Sequence, residues 1–111
     1  MSEGPTGYIV VLVTAPDEAT AAAIGRALVD ESLAACVNIV PGLRSIYRWQ
    51  GKVEDEREVM MMIKTRQEMF GQLEARVKAL HPYSVPEVIA LPIAGGSAEY
   101  LAWIAQGSRG Q

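Results

Sequence analysis

Residues that could bind a metal are few and lie far apart in the sequence. The chain has one cysteine, Cys36, and one histidine, His81. A cysteine thiolate is a soft ligand suited to copper, and an imidazole nitrogen binds most transition metals. Glu58 adds a carboxylate where an acidic run gives way to an apolar one. Because a strong divalent site uses three or four ligands, this set predicts a weak metal site completed by a neighbouring subunit.

Two of these ligands also have an ordinary structural interpretation. A free cysteine on a strand usually behaves as a small buried hydrophobe. His81 is expected at a helix C-terminus, where it can end the helix and pack on Pro82 and Tyr83. The run Met60–Met62 invites a Cu(I) thioether interpretation, but only Met60 and Met62 share a face and methionine commonly fills gaps in cores. We therefore expect this run to belong to the core.

A second possible ligand is a small anion, which Lys64 could hold with Tyr83 or Tyr100 nearby, although ordinary salt bridging is the favoured interpretation. Lys64 follows Glu58 by six residues, so the two share one face of an extended strand about 20 Å apart and cannot pair within it. Tyr47 and Trp49 precede a turn signal at Gln50-Gly51, and we expect them to be interface residues.

Composition excludes several classes of protein. The chain has 111 residues, half of them hydrophobic, and a net charge of −3, which argues against disorder and against a nucleic-acid binder. Its longest apolar run, Tyr8–Val13, is too short to span a membrane. One cysteine forbids an internal disulfide and suits a reducing compartment. No basic segment leads into a signal peptide at the N-terminus, so we expect a cytoplasmic protein.

No residue pattern in this sequence indicates a catalytic site. Ser45, Ser84 and Ser97 stand outside any nucleophile-elbow motif, and a single histidine would have to serve every scheme of general base catalysis. Gly95-Gly96 precedes a predicted helix without a P-loop lysine, so we interpret it as a turn. We expect the protein to be non-catalytic.

Hydrophobic periodicity predicts the order β-α-β-β-α-β-α. This is an α+β, ferredoxin-like βαββαβ antiparallel sheet with an extra C-terminal helix. Asp17 is expected to cap the first helix, the sequence Thr65–Glu68 to form a capping box for the second, and Ser97 to cap the last. Pro41-Gly42 predicts a bulge in the second strand. We expect a single domain over residues 8–106, with flexible tails at 1–7 and 107–111.

The first and third strands are apolar on both faces. Tyr8, Val10 and Leu12 alternate with equally apolar neighbours, and so do Met60 and Met62. Two helices cover one face of such a sheet, and the last helix has too few apolar residues to cover the other. The second face therefore predicts a homo-oligomer.

Several strings in the sequence also resemble the CutA family, the divalent-cation-tolerance proteins. They are Cys36-Val37-Asn38-Ile39, Tyr47-x-Trp49-x-Gly51, Glu58 followed by an apolar run into Ile63-Lys64-Thr65, His81-Pro82-Tyr83-x-x-Pro86-Glu87, and Tyr100-x-x-Trp103. The resemblance implies a homotrimer similar in architecture to the PII signalling proteins, an association with copper and other divalent metals, and no established enzymatic reaction. It also favours Cys36 and His81 as metal contacts.

These observations predict a divalent metal-binding homotrimer, with Cu²⁺ or another divalent cation bound weakly and no nucleic acid or membrane as partner. Two other functions stay open. One is a PII-like regulatory module that binds a small anionic ligand in clefts between subunits. The other is a structural trimer that serves as a scaffold.

Overall fold

A four-stranded antiparallel sheet with three helices forms the fold. The computed structural model describes residues 6–110. Its elements are β1 (Tyr8–Ala15), α1 (Glu18–Asp30), β2 (Cys36–Trp49), β3 (Lys52–Arg66), α2 (Phe70–Leu80), β4 (Val88–Pro92) and α3 (Ala98–Gly107), with a short 3₁₀ turn at Gln67–Met69 before α2. The strand order is β2-β3-β1-β4, and each neighbouring pair is antiparallel. The predicted ferredoxin-like sheet with an extra C-terminal helix is confirmed.

The core lies between one face of the sheet and the helices α1 and α2. It is built from alternate residues of the central strands and one stripe of each helix: Ile9, Val11, Val13, Val59, Met61, Ile63, Ile24, Leu28, Leu73 and Val77. Gly25 allows α1 to approach β2 closely, because a Cβ there would lie 3.2 Å from Cγ1 of Val37. None of the helices in residues 6–110 combines the length and apolar content needed to cross a membrane.

Two of the three helix caps predicted from the sequence are present in the structure. The Asp17 side chain accepts a hydrogen bond from the Thr20 amide at 2.7 Å, and the Ser97 hydroxyl accepts one from the Tyr100 amide at 3.2 Å, so both predicted caps are confirmed. The predicted capping box at Thr65 is wrong. Thr65 is a fully buried residue of β3 whose hydroxyl donates to the Leu33 carbonyl. This tertiary partner keeps the residue extended and removes its hydroxyl from any helix.

The C-terminal residues make specific contacts with the domain. Ser108 is fully buried, and its carbonyl accepts a hydrogen bond from Nε of Arg66 at 2.7 Å. The Gly110 amide donates to the Ser32 carbonyl at 2.8 Å. Residues 107–110 therefore pack on the domain, which differs from the expected free tail; residue 111 lies outside the described residues.

The N-terminal segment 1–7 is described only from Thr6 onward. The Thr6 hydroxyl donates to the Ile93 carbonyl at 2.6 Å, and the Gly7 carbonyl accepts from the Gln67 amide at 2.9 Å. Both bonds tie the start of β1 to the end of the sheet, while the remainder of the predicted N-terminal tail lies outside the described residues.

Strands β2 and β3 form a hairpin that is longer than the rest of the sheet. The pairing of β3 with β1 ends at Val59 opposite Ala15, whereas its pairing with β2 continues to Lys52 opposite Trp49. A register shift between Val40 and Leu43 confirms the predicted bulge at Pro41-Gly42. The distal half of the hairpin, from Leu43 to Glu58, therefore extends past β1.

The sheet face opposite the core carries the apolar residues that the sequence predicts there. We call the set Val10, Leu12, Met60, Met62, Ile89 and Leu91 the apolar strip. Its members are partners across β3, β1 and β4, such as Leu12 with Met62 on one side and with Ile89 on the other. Ile89 and Leu91 are each 49% exposed, and the other four residues are half-buried. Helix α3 packs against β3, but it leaves the strip partly accessible.

Candidate functional site

An acidic cleft lies at the hairpin end of this open face. Its volume is about 620 Å³, and its lining includes Tyr47, Trp49, Glu54, Glu56, Glu58, Tyr83 and Glu87. Three glutamates come from β3, because every second residue of a strand lies on the same face. The aromatic residues of β2 stand across the hairpin from them, and the loop after α2 closes the other side. No lysine or arginine is among the described residues that line the cleft.

Glu58 is the most buried of the four glutamates. Only 8% of the residue is exposed, and its Oε2 accepts a hydrogen bond of 2.8 Å from the Tyr83 hydroxyl. The described part of the chain places no basic group in a salt bridge with it. A buried carboxylate without a cationic partner is costly in free energy, so this position favours the binding of a cation.

The two tyrosines of the cleft serve as hydrogen-bond donors. The Tyr47 hydroxyl donates to Oε1 of Glu56 at 2.8 Å, and this bond, with burial and the neighbouring carboxylates, raises the pKa of Tyr47 to about 12. The pKa of Tyr83 is raised further, first by burial and then by its bond to Glu58. Both phenols therefore stay protonated near neutral pH and orient the carboxylates instead of acting as phenolate ligands.

His81 holds the loop that carries Tyr83. The residue is 7% exposed, and its Nε2 lies 2.7 Å from the Thr14 carbonyl, while the Tyr83 amide donates to Nδ1 at 3.1 Å. A carbonyl can only accept and an amide N–H can only donate, so the partners assign the proton to Nε2. Both ring nitrogens are engaged, and His81 positions Tyr83 against Glu58.

A second polar group, which we call the thiol cluster, lies at the opposite end of the open face. It comprises Cys36, Asn38, Lys64 and Tyr100. Cys36 is half-buried and stands opposite Lys64 in the β2–β3 ladder. The Cys36 thiol lies 3.6 Å from Oδ1 of Asn38, which also accepts a hydrogen bond from Nζ of Lys64. Burial, followed by the proximity of Cys36, raises the pKa of Tyr100.

The structure brings the predicted site residues together in two groups and not in one. Glu58, Tyr83 and His81 meet at the acidic cleft. Lys64 and Tyr100 meet beside Cys36, about 20 Å from Glu58 along β3. Among residues 6–110, no three His, Cys, Asp or Glu side chains are placed to hold a metal ion together.

Sequence reasoning missed the partners that build the cleft. The structure places Tyr47 and Trp49 in the cleft wall, with Tyr47 bonded to Glu56, while their expected place at a subunit interface stays a prediction. The acidic run contained a usable signal, since Glu54, Glu56 and Glu58 are spaced two residues apart and must share a strand face. The contact of His81 with the Thr14 carbonyl joins residues 67 apart in sequence, and no local pattern indicates it.

Comparison with known proteins gives consistent matches over nearly the whole chain. The family model of the CutA1 divalent ion tolerance protein matches residues 9–107. The divalent-cation tolerance protein CutA of Thermus thermophilus is 60% identical over 95 residues, which are 86% of this chain and 92% of that protein. The chloroplastic protein CutA of Arabidopsis thaliana is 50% identical over 101 residues, covering 91% of this chain and 56% of that protein. This chain thus spans little more than half of the plant relative.

Solved structures agree with the sequence matches. The crystal structure of CutA1 from the psychrotrophic bacterium Shewanella sp. SIB1 superposes with a TM-score of 0.91 at 39% identity, and the match covers 97% of this chain and 99% of that one. The two chains therefore share the same overall fold. On these matches of sequence and structure, the chain belongs to the CutA1 divalent ion tolerance protein family.

Proposed function

We propose that this protein binds divalent metal ions, Cu²⁺ foremost, as a non-catalytic homotrimer in the cytoplasm, and that the metal binds in the acidic cleft at Glu58. The observation that supports this most strongly is the burial of the Glu58 carboxylate in a cleft with three further glutamates and no basic residue among its described lining. A bound cation removes the cost of that uncompensated charge.

Glu58 is a better centre for this site than Cys36 or His81. The ring nitrogens of His81 already bond to Thr14 and Tyr83. Cys36 lies at the other end of the open face, next to the Lys64 ammonium, whose charge repels a metal cation. We therefore assign His81 a positioning role and leave Cys36 outside the metal site.

The preference for copper follows from general coordination chemistry. A site built from oxygen ligands binds Cu²⁺ more tightly than the other divalent ions of the first transition row. Glu58 supplies one firmly held carboxylate. A neighbouring subunit is expected to complete the ligand set, which makes the site dependent on assembly.

Assembly is supported by the apolar strip. Apolar side chains that stay exposed on a sheet face mark a surface that another protein covers. A second and third copy of the chain bury this strip without any additional partner, and the number three rests on the resemblance to CutA and PII-like trimers.

Calorimetric titration with Cu²⁺ and Zn²⁺ tests the metal function. We expect Glu58→Gln to weaken Cu²⁺ binding by about tenfold or more, because one charged ligand is lost. Asp55→Asn is the matched control, since Asp55 lies on β3 but pairs with Arg44 on the opposite face. Equal affinity of wild type and Glu58→Gln would refute the site, and no binding of either metal below roughly millimolar concentration would refute the function.

An anionic ligand is the second candidate, and one contact favours it. Lys64 and Tyr100 both lie beside Cys36, so a small anion could bind at the thiol cluster. Titration with inorganic phosphate tests it: binding that disappears in Lys64→Ala supports the anion site, and absence of binding by the wild type removes this candidate.

A further inference from the structure

We infer that copies of this chain assemble head to tail, with the basic face of the β2–β3 hairpin of one copy packed on the acidic cleft of the next. The basic face is the side of the distal hairpin opposite the cleft, and its charged members are Arg44, Arg48, Asp55 and Arg57. This inference rests on the proposed assembly. It adds which surfaces meet and why they form a ring and not a dimer.

The distal hairpin carries its acidic and basic residues on opposite faces. Glu54, Glu56 and Glu58 take every second position of β3, and Asp55 and Arg57 take the positions between them. Because alternate residues of a strand point to opposite faces, the three glutamates share the open face. The arginine lies on the face that continues the core side of the sheet.

Like charges lie next to each other on the basic face. Arg44 and Arg57 are direct partners in the β2–β3 ladder, and a pair of like charges at such positions destabilises a sheet. Asp55 compensates Arg44 through two hydrogen bonds of 2.8 and 2.6 Å. Arg48 and Arg57 are exposed, and the salt bridges within residues 6–110 include neither of them. Two arginines of this face therefore lack an anionic partner within the described chain.

The acidic cleft is the surface of matching charge. Glu54 and Glu56 line it, while Lys52, next to the turn, shares their side of β3 but lies outside the lining. Arginine forms paired hydrogen bonds with carboxylates and stacks on aromatic rings, so the cleft residues Tyr47 and Trp49 suit it as well. Both surfaces belong to one sequence, and a second copy therefore supplies the complementary charge without a further partner.

The proposed metal site is compatible with this contact. Glu58 is 8% exposed and bonded to the Tyr83 hydroxyl, whereas Glu54 and Glu56 lie nearer to the hairpin turn and are more exposed. The arginines of a neighbouring copy therefore meet these two outer glutamates, and the buried Glu58 carboxylate is left for a cation.

Charge also determines the symmetry of the assembly. In a two-fold dimer a surface patch meets the same patch of its partner, so glutamates would face glutamates, and like charges across an interface are costly. The acidic and basic sides of the hairpin point in opposite directions, so a pair of copies forms only one acid–base contact. A closed ring of three or more copies leaves no such surface uncovered.

Charge reversal tests the inference, with the mass in solution measured by sedimentation equilibrium over a dilution series. Arg48→Glu/Arg57→Glu reverses the basic face, and Glu54→Arg/Glu56→Arg reverses the acidic one. Each double variant should dissociate at a protein concentration at least about tenfold higher than wild type does. The quadruple variant, with both faces reversed, should assemble again because unlike charges then meet.

Arg26→Glu is the matched control, because Arg26 is an exposed arginine of α1 outside the hairpin. It should assemble as wild type does, and circular dichroism checks the fold of every variant. If the quadruple variant does not fold, the two double variants compared with this control decide alone.

The outcomes separate this inference from the proposed assembly. A wild-type protein that stays monomeric refutes the assembly, and the inference with it. If wild type assembles, an unchanged mass in Arg48→Glu/Arg57→Glu leaves the basic face free for another partner and overturns the inference alone. A folded quadruple variant that stays dissociated, or a wild type with the mass of two copies, overturns it as well.

Discussion

The thiol cluster and the acidic cleft, at the two ends of the open sheet face, differ in the surroundings of their charged side chains. At the thiol cluster, the Lys64 ammonium is bonded to the Asn38 side chain, which also faces the Cys36 thiol, so the polar groups satisfy one another. At the acidic cleft, Glu58 is buried with a neutral tyrosine as its hydrogen-bond partner. The Lys64 ammonium is partly exposed to water, whereas the Glu58 carboxylate is buried with no cation beside it in the described chain.

A single strand produces both ends. Residues Glu58 and Lys64 belong to β3 and share its open face, six positions apart. What differs is the neighbouring structure: the loop that His81 anchors closes one end, and α3 brings Tyr100 to the other. In this chain the apolar strip lies between a partly exposed cation and a buried carboxylate.

The largest expected effect concerns that strip. Leu12→Asp places a charge at its centre, where Leu12 pairs with Met62 and Ile89, and burying an unpaired carboxylate in an interface is prohibitive. We expect the variant to be monomeric by light scattering. Val29→Asp, at an exposed position on α1 and on the other side of the sheet, should assemble normally. A Leu12→Asp protein that keeps the wild-type mass in solution would contradict the assembly.

A smaller effect is expected where α3 meets the thiol cluster. A Cβ on Gly107 would lie 2.9 Å from Cβ of Ala35, the residue before Cys36. Gly107→Ala should therefore lower the free energy of unfolding by about 1–3 kcal/mol, as overpacking does, in a urea titration.

Gly71→Ala is the matched control for this substitution. Gly71 lies in α2, and an added Cβ there would meet nothing within 4 Å. The control should raise the stability by about 0.5–1 kcal/mol, because alanine is the better helix former. If the two alanine variants are equally stable, the close packing of α3 on this end is wrong.

The smallest expected effect is a change in the pKa of Tyr47 in the acidic cleft. The pKa of Tyr47 is raised to about 12 from an ordinary value of 10.0. Its bond to Glu56 therefore stabilises the fold fully below pH 10 and is lost as the pH rises toward 12. In a tyrosine absorbance titration, Glu56→Gln should move one phenol back toward its ordinary pKa. A titration curve identical to that of wild type would contradict this bond.

Local sequence patterns predicted the helix caps and the β-bulge correctly, because residues close together in the sequence determine these features. Asp17 and Ser97 cap their helices through amides three residues on, and the bulge at Pro41-Gly42 follows from residue type alone. Thr65 misled the prediction because its hydroxyl bonds to Leu33, which is distant in sequence. A capping-box pattern carries no information about such a tertiary partner.

The candidate site was predictable in part. The sequence indicated Glu58 and its distance from Lys64, since strand geometry alone gives both. It placed Cys36 and His81 with Glu58 in one ligand set completed between subunits, which stays a prediction; within one chain, the register of β2 on β3 puts Cys36 opposite Lys64. The engagement of both His81 nitrogens depends on the Thr14 carbonyl and the Tyr83 amide, which only the folded chain brings together.

The most direct test of the account compares Cu²⁺ affinity between variants at the two ends of the face. Calorimetric titration of Glu58→Gln and Cys36→Ser under the same conditions, with each variant shown to assemble as wild type does, measures which end binds the metal. We predict that Glu58→Gln weakens binding by about tenfold or more and that Cys36→Ser stays within about twofold of wild type. A large loss in Cys36→Ser with unchanged affinity in Glu58→Gln would contradict the account.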